Sequence, residues 1–568
     1  MRFINPDRKE ILTVYIYAIF SGIISLSLPL GIQAIISFLF GNTYSASIVV
    51  LIGVVLLSVL LNGYLQVMQM KIVERIQRKI FTRYSLGFSQ KLTALDLVSV
   101  DNYYLPELTN RFLDTASLQK GVSKILLEFP TASIQIIFGL LLLSFYSPMF
   151  IAFGAMLVLL LYLIFRITGL RGLATSNEES NYKYDVAYWL EEVARVVKNF
   201  KLMGRTTYPI LKTDRLVSGY LDAKEAHFKI LLTQYWAFIV FKFIITGALL
   251  ILGSVLFVNQ QINLGQFIAA EIVIILIVGS VEKLIQSLDA VYDFLTAIEK
   301  VDKLLDKDDE HNGALIVPNM NGNGFHIEMS HVVFRYPMAL NPSLYIPYLN
   351  INGGERWCIM GRLGAGKTSL MRLLTGAYQI ESGSIMVNQV AISNLDLGDY
   401  RKQIGLVVGT RDIFSDSIYN NITLGDPSIE RTEVVKICKG LGLWDFLIGL
   451  PHDLETHINT LGKNLPDTVI FKILIARSLA KQPKLLLLED CWSQMEKIDQ
   501  EQIQQYLLME RKQFTLIASS NEESFARLCD FVLLMDDGKM VKHGTPQEVL
   551  ACNEYHTILL NSRRSEKV

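Results

Sequence analysis

The chain has 568 residues, 51% of them apolar, with 53 basic against 54 acidic side chains and a formal net charge of −1. That length exceeds what one hydrophobic core serves, and the balanced charge leaves no electrostatic footprint for nucleic acid. Most apolar residues lie before residue 300 in long runs, a pattern that excludes an ordinary water-soluble chain.

Crossing a bilayer takes about 20 residues of helix. Runs of that size lie near Ile11 to Phe40, Ser47 to Met68, Ile125 to Tyr146, Met149 to Leu170, Trp236 to Phe257 and Phe267 to Leu288. The segment after the second carries Lys71, Arg75, Arg78, Lys79, Arg83 and Lys91, and the segment after the fourth carries Arg166, Arg171, Lys183, Arg195, Lys198, Lys201 and Arg205. The stretches 41–46, 147–148 and 259–263 carry no basic residue. Positive charge stays inside, so both termini are expected in the cytoplasm. The first run is too long for the apolar core of a signal peptide and no small-residue cleavage site closes it, so cleavage is not expected.

Patterns such as Ile72-Val73-Glu74-Arg75-Ile76 keep a helical period with charge on one side, which predicts helical continuations beyond the spans. Of the charged residues inside these runs, Lys242 and Glu271 are the clearest. Lys242 sits toward the cytoplasmic end of its span, where a snorkelling and a cavity-lining role are equally compatible. Glu271 lies about 10 Å inside the outer end of its span by helical rise. A carboxylate at that depth is costly, so it is expected to face the bundle interior.

From Asp306 to Gly324 the chain turns polar, with Asp308-Asp309-Glu310 and Asn321-Gly322-Asn323-Gly324. The expected division is therefore a transmembrane domain over 1–305, a linker over 306–324 and an α/β domain over 325–568. Alternation in His326-Ile327-Glu328-Met329 opens the strands of that last part. All five cysteines (358, 438, 491, 529 and 552) belong to it and read as reduced packing residues.

Residues 361–369 read Gly-Arg-Leu-Gly-Ala-Gly-Lys-Thr-Ser, a complete phosphate-binding loop. Backbone N–H groups around Gly361, Gly364, Ala365 and Gly366 cradle a phosphate, Lys367 neutralises the terminal phosphates, and the Thr368 hydroxyl, beside Ser369, serves magnesium. The loop follows the apolar run Trp357-Cys358-Ile359-Met360 and precedes Leu370-Met371-Arg372-Leu373-Leu374, the strand, loop and helix order that this chemistry needs. ATP and magnesium are the expected cofactors.

Six spans with long extensions, followed by such a domain, resemble an ABC exporter half-transporter over almost the whole chain. The resemblance places Tyr336 of Phe334-Arg335-Tyr336-Pro337 where an aromatic ring stacks on adenine, although a plain surface tyrosine is compatible with the same residues. Asp536-Asp537-Gly538-Lys539 and His543-Gly544-Thr545-Pro546 are similar to the closing strand turns of that family. Pro29-Leu30-Gly31-Ile32-Gln33 and Asn110-Arg111-Phe112 resemble the haemolysin-type secretion exporters, which work with a periplasmic adaptor and an outer-membrane duct. With no peptidase-like stretch ahead of the first span, leader processing is not expected. Coupling segments are implied near Asn102 to Phe112 and Asn199 to Arg205.

Several positions depart from the family pattern. Gly409 stands where the resemblance implies a glutamine that reaches magnesium and water. Residues 462–469, Gly-Lys-Asn-Leu-Pro-Asp-Thr-Val, replace the LSGGQ signature, with Pro466 for the serine and Asp467 bringing a carboxylate toward a partner's phosphate. A resident aspartate competes with an anion for a helix N-terminus, while the plain alternative is that Pro466 and Asp467 simply start a helix. Glu489-Asp490 inverts the family's Asp-Glu, leaving Glu489 for magnesium and Asp490 as a shortened candidate for polarising water. Displacement by about 1 Å costs on the order of a hundredfold in rate. Asn521 takes the switch-histidine position and cannot exchange a proton near neutrality. Ser493-Gln494-Met495-Glu496 replaces Ser-Ala-Leu-Asp.

The expectation is a bacterial inner-membrane exporter that binds Mg-ATP and hydrolyses it weakly or not at all. A fully active ATP-driven exporter of peptide, protein or lipid, and a non-hydrolysing scaffold, are the alternatives. It is expected as a homodimer or as a heterodimer with another half-transporter. Both kinds of damage fall in one chain, so an intact partner still leaves a defective half in each composite site.

Overall fold

The structure is a computed structural model that describes residues 7–40, 46–100, 104–204, 206–318, 324–409, 412–489, 495–510 and 513–560. The chain forms two compact units, Met1–Leu95 with Asn102–Lys307, and Asp96–Asp101 with Asp308–Val568.

Among the described residues of the first unit, six helical stretches are long and apolar enough to cross a membrane: Arg8–Phe40, Ala46–Ala94, Leu105–Tyr146, Met149–Arg195, Tyr208–Val258 and Leu264–Leu305. Tyr208–Val258 has 51 residues, about 75 Å of helix against a hydrocarbon core of about 30 Å. The predicted continuations are therefore helical; in Ala46–Ala94 they bury Val73, Ile76, Ile80, Tyr84 and Phe88 along one face. The first stretch breaks between Arg8–Ser25 and Ser27–Phe40. Pro29, which has no N–H to offer the carbonyl of Ser25, accounts for the break.

The last stretch starts with a capping box in which Asn263 Oδ1 accepts from Gln266 N at 2.8 Å and Gln266 Oε1 accepts from Asn263 N at 2.9 Å. Its Ala269, Ala270, Val273, Ile274 and Ile277 are buried, most of them in a core shared with Ile136, Leu143, Phe241 and Ile245. Glu271 is on the other face and exposed within the single chain. The helical period that buries Ala270, Val273, Ile274 and Ile277 turns positions 271 and 275 outward together. Lys242 is exposed as well.

Among the described residues, the second unit is built on a sheet of ten strands in the order β5-β4-β1-β2-β12-β11-β3-β10-β9-β6. The strands are β1 (Ile327–Phe334), β2 (Leu344–Ile351), β3 (Arg356–Gly361), β4 (Ser382–Val387), β5 (Val390–Ala391), β6 (Ile404–Val407), β9 (Leu485–Leu488), β10 (Thr515–Ser519), β11 (Phe531–Asp536) and β12 (Lys539–Gly544). A separate pair joins β7 (Asp416–Ser417) to β8 (His457–Ile458). β3, β9 and β10 are continuous apolar runs because both of their faces are covered. Successive residues feed opposite cores, Trp357 and Ile359 one, Cys358 and Met360 the other.

The polar run expected as a linker lies against this unit where it is described. Arg401 donates to both oxygens of Glu310 at 2.5 and 2.7 Å, Leu397 N donates to Asn312 Oδ1 at 2.6 Å, and Leu315 bridges to Leu395. Residues 319–323 fall outside the described residues. Cys358, Cys438, Cys529 and Cys552 are buried and free.

Candidate nucleotide-binding site

The site grows from the end of β3. That strand runs parallel to β10 on one side and β11 on the other, and its last residue, Gly361, pairs with Met535 of β11. A Cβ on Gly361 would meet Met535 O at 2.3 Å, so no side chain fits. The chain then loops to Gly366, the N-cap of helix Lys367–Leu374, at φ +94°. Glycine adopts that left-handed turn at little cost, and it leaves the first N–H groups of the helix facing the loop.

Inside the loop, Lys367 Nζ donates to Gly361 O at 2.6 Å and to Arg362 O at 2.9 Å. Thr368 Oγ1 donates to Glu489 Oε1. Glu489 directly follows β9, its own N–H held by Val407 O at 2.8 Å. Tyr336 OH and Ser369 Oγ are 3.2 Å apart. The Tyr336 ring lies edge-on to Phe334 and Tyr378, with centroids 4.7 and 5.4 Å away. A cavity of about 490 Å³ opens between these groups, lined by Tyr336, Gly364, Ala365, Gly366, Lys367, Thr368, Ser369 and Glu489. Pro342, Ser343, Leu363, Ser519, Asp537 and Gly538 complete its wall. The Asp536–Lys539 turn had read only as a strand connection; the sequence held no sign that it closes the pocket.

Asn521 lies just past β10. Ser520 N donates to Ile359 O at 3.1 Å, and the Asn521 side chain then continues the ladder. Gly361 N donates to its Oδ1 at 3.0 Å, and its Nδ2 donates back to Gly361 O at 3.1 Å. Asp490 and residues 491–494 fall outside the described residues, so the water-polarising candidate has no structural account.

Gly409 is left-handed, with φ +94°. An L side chain at that position would be strained by this backbone conformation. Helix Asp467–Ala480 has Pro466 as its N-cap residue and Asp467 as its first residue. The Asp467 carboxylate thus belongs to the first turn. Deeper in that helix, Lys472 Nζ donates to Asp499 Oδ1 at 2.7 Å and to Gly442 O at 3.0 Å. Arg477 donates to Asn421 O at 2.6 Å, Asp412 O at 2.7 Å and Asn421 Oδ1 at 3.1 Å. Burial lowers the Arg477 pKa, and the bonds it makes explain why a lone arginine sits in the apolar run Ile473–Leu479, a signal the sequence carried.

The donor set fits a magnesium-bound nucleoside triphosphate. An ammonium resting on two carbonyls, a glycine cradle closed to side chains and a threonine-carboxylate pair are what phosphates and a hard divalent cation need. Lys367 and the loop N–H groups would hold the phosphates, Thr368 and Glu489 the magnesium.

Residues 347–493 match the ABC transporter domain family and residues 11–281 match the ABC transporter transmembrane region. The chain belongs to the ABC transporter family. It carries the transmembrane region and the ABC domain of a half-transporter, six of its helical stretches among the described residues are long and apolar enough to cross a membrane, and an ABC domain implies Mg-ATP binding. Similar sequences include the ATP-dependent lipid A-core flippase of Methylobacillus flagellatus, 27% identical over 303 residues, which are 53% of this chain and 51% of the relative. The protein of the same name from Pseudoalteromonas translucida is 30% identical over 276 residues, 48% of this chain and 47% of the relative. The chain spans about half the length of the curated relatives it matches. A bacterial Atm1-family ABC exporter solved with ATP bound shares the fold, with a TM-score of 0.83, 17% identity and coverage of 99% of this chain and 98% of that one.

Proposed function

We propose that this half-transporter binds Mg-ATP and hydrolyses it weakly, so that nucleotide biases conformation or assembly instead of driving rapid cycling. The carrying observation is the contrast within one site. Loop, lysine, threonine and carboxylate are assembled for binding, while the switch position is an asparagine bonded to Gly361. General acid or base help contributes about 10² to 10⁴ in rate. Its loss beside Gly409 and Pro466 supports slow turnover.

The reading carries its topology with it: a transmembrane domain over 1–305, a linker over 306–324, a nucleotide domain over 325–568, and both termini in the cytoplasm. The motifs at Pro29–Gln33 and Asn110–Phe112 support a place in a secretion assembly with a periplasmic adaptor and an outer-membrane duct. The names of the flippase relatives favour a second reading, an active exporter of a lipid.

The test uses the purified full-length chain in lipid nanodiscs. Saturating Mg-ATP raises the unfolding midpoint of the wild type and not of Lys367→Ala; at a hundred times Kd the stabilisation is about 2.7 kcal/mol. Basal turnover no greater than that of Lys367→Ala is the expected result. Turnover well above that variant, rising further with lipid, overturns weak hydrolysis in favour of the second reading.

A further inference from the structure

We propose that Arg362 is a positioning residue of the nucleotide site, whose guanidinium fastens the phosphate loop to the helical turn His556–Leu560 through two carbonyls of that turn. The inference rests on the reading of this site as a nucleotide site and concerns what holds its loop in shape.

The outer part of the loop has little packing of its own. Leu363 is fully exposed within the single chain, and a Cβ built on Gly364 would meet nothing within 4 Å. Arg362, beside them, reaches across to the turn. Its Nε donates to Ile558 O at 2.7 Å and its Nη2 donates to Thr557 O at 2.9 Å. A guanidinium presents its N–H groups in a fixed fork, which suits two acceptors on successive residues. The turn is a firm base for them. Tyr555, Ile558 and Leu559 are buried in the same core as Cys358 and Met360 of β3, and Tyr555 OH donates to Glu523 Oε1 at 3.0 Å.

The backbone of Arg362 meets the phosphate-binding groups. Its carbonyl accepts from Ala365 N at 3.1 Å and from Lys367 Nζ at 2.9 Å. An ammonium carries three donors, so a phosphate does not require the lysine to leave this carbonyl or that of Gly361. One residue therefore joins a buried base, through its side chain, to the lysine and the N–H cradle, through its backbone. A loop already held in shape gives up less conformational freedom when the ligand arrives, and that saving appears as affinity. A second route to affinity is the bare positive charge of Arg362, which attracts phosphate without any anchor. Salt separates the two, because screening weakens an exposed charge far more than a fixed loop shape.

The experiment measures Kd for Mg-ATP by thermal-shift titration on wild type, Arg362→Ala and Lys367→Ala, each as the full chain in nanodiscs, at about 0.1 M and about 1 M salt. Amide hydrogen exchange over residues 362–366 is followed without nucleotide. Expected in Arg362→Ala are a nucleotide-free midpoint within about 3 °C of wild type, a Kd raised about fivefold at both salt concentrations, and faster exchange in the loop. A wild-type Kd in Arg362→Ala, with Lys367→Ala not binding, overturns the inference and leaves the nucleotide reading standing. A rise in Kd that vanishes at high salt, with loop exchange unchanged, assigns Arg362 to charge alone and overturns it too. A midpoint that falls while Kd is unchanged assigns it to stability and has the same consequence. A wild type that shows no ATP-dependent shift removes the nucleotide reading and this inference with it.

Discussion

Replacing Gly409 by glutamine places a side chain at a position whose backbone does not suit one. The residue sits at φ +94°, where an L side chain costs about 1–2 kcal/mol. The cost is torsional and not steric, because a Cβ built there has as its nearest neighbour Asp412 Oδ2 at 3.5 Å, an ordinary contact. A loss of about 1.5 kcal/mol lowers the unfolding midpoint of a domain of this size by roughly 3–6 °C. Gly409→Ala carries the same torsion without the amide, so the two variants should melt together, below the wild type, in a scanning measurement on the full chain. ATP turnover in Gly409→Gln should stay within about twofold of the wild type, since the amide is aimed by an unsuitable backbone and Asn521 and Pro466 remain. A glutamine variant that melts at or above the wild type, or that turns over ATP tenfold faster, would refute the argument.

Two further predictions concern the second unit. Asp499→Ala leaves the Lys472 ammonium, 7% exposed, without its carboxylate, and should destabilise by about 2–4 kcal/mol, whereas Lys472→Met, which removes the buried charge itself, should cost less than half as much by chemical denaturation. Burial pushes the Cys438 thiol up to about 12, so alkylation at pH 8 followed by peptide mapping should leave it unmodified in the folded chain and modified after denaturation. The folded value lies above the unfolded one, so the contribution of Cys438 to stability is full below about pH 8.5 and declines as the pH rises toward 12.

The membrane spans and the phosphate loop were legible because each is a local property. Hydropathy over twenty residues marks a span, and Gly361 to Ser369 encode a turn whose donors are backbone groups adjacent in sequence. A helical period tells which residues share a face but not what covers that face: Glu271 shares an exposed face of the single chain with Ile275, and the period does not say what that face meets. The partners of Arg477 lie 56 and 65 residues away, and those of Asn521 lie 160 residues away. Both depend on strand order, which motif spacing does not contain. The same spacing argument that located Asn521 could count what it lacks as an acid or base; only the parallel register of β3 and β10 shows what it holds.

That register changes what the exchanged residues mean. Glu489 and Asn521 occupy positions that the family resemblance assigns to magnesium and to the switch, at the ends of β9 and just past β10. Each bonds the phosphate loop directly, Glu489 through Thr368 and Asn521 through both backbone groups of Gly361. An imidazole cannot present a donor and an acceptor on one carbon, so a histidine in place of Asn521 could carry a proton but could not make this two-point contact. In the proposed reading these substitutions act in one direction: they hold the loop in a form that receives triphosphate and withdraw groups that turnover needs. Random decay of an unused site has no reason to spare the lysine, the threonine and every glycine of the loop while altering the positions around them, and a chain that still depends on gripping nucleotide does.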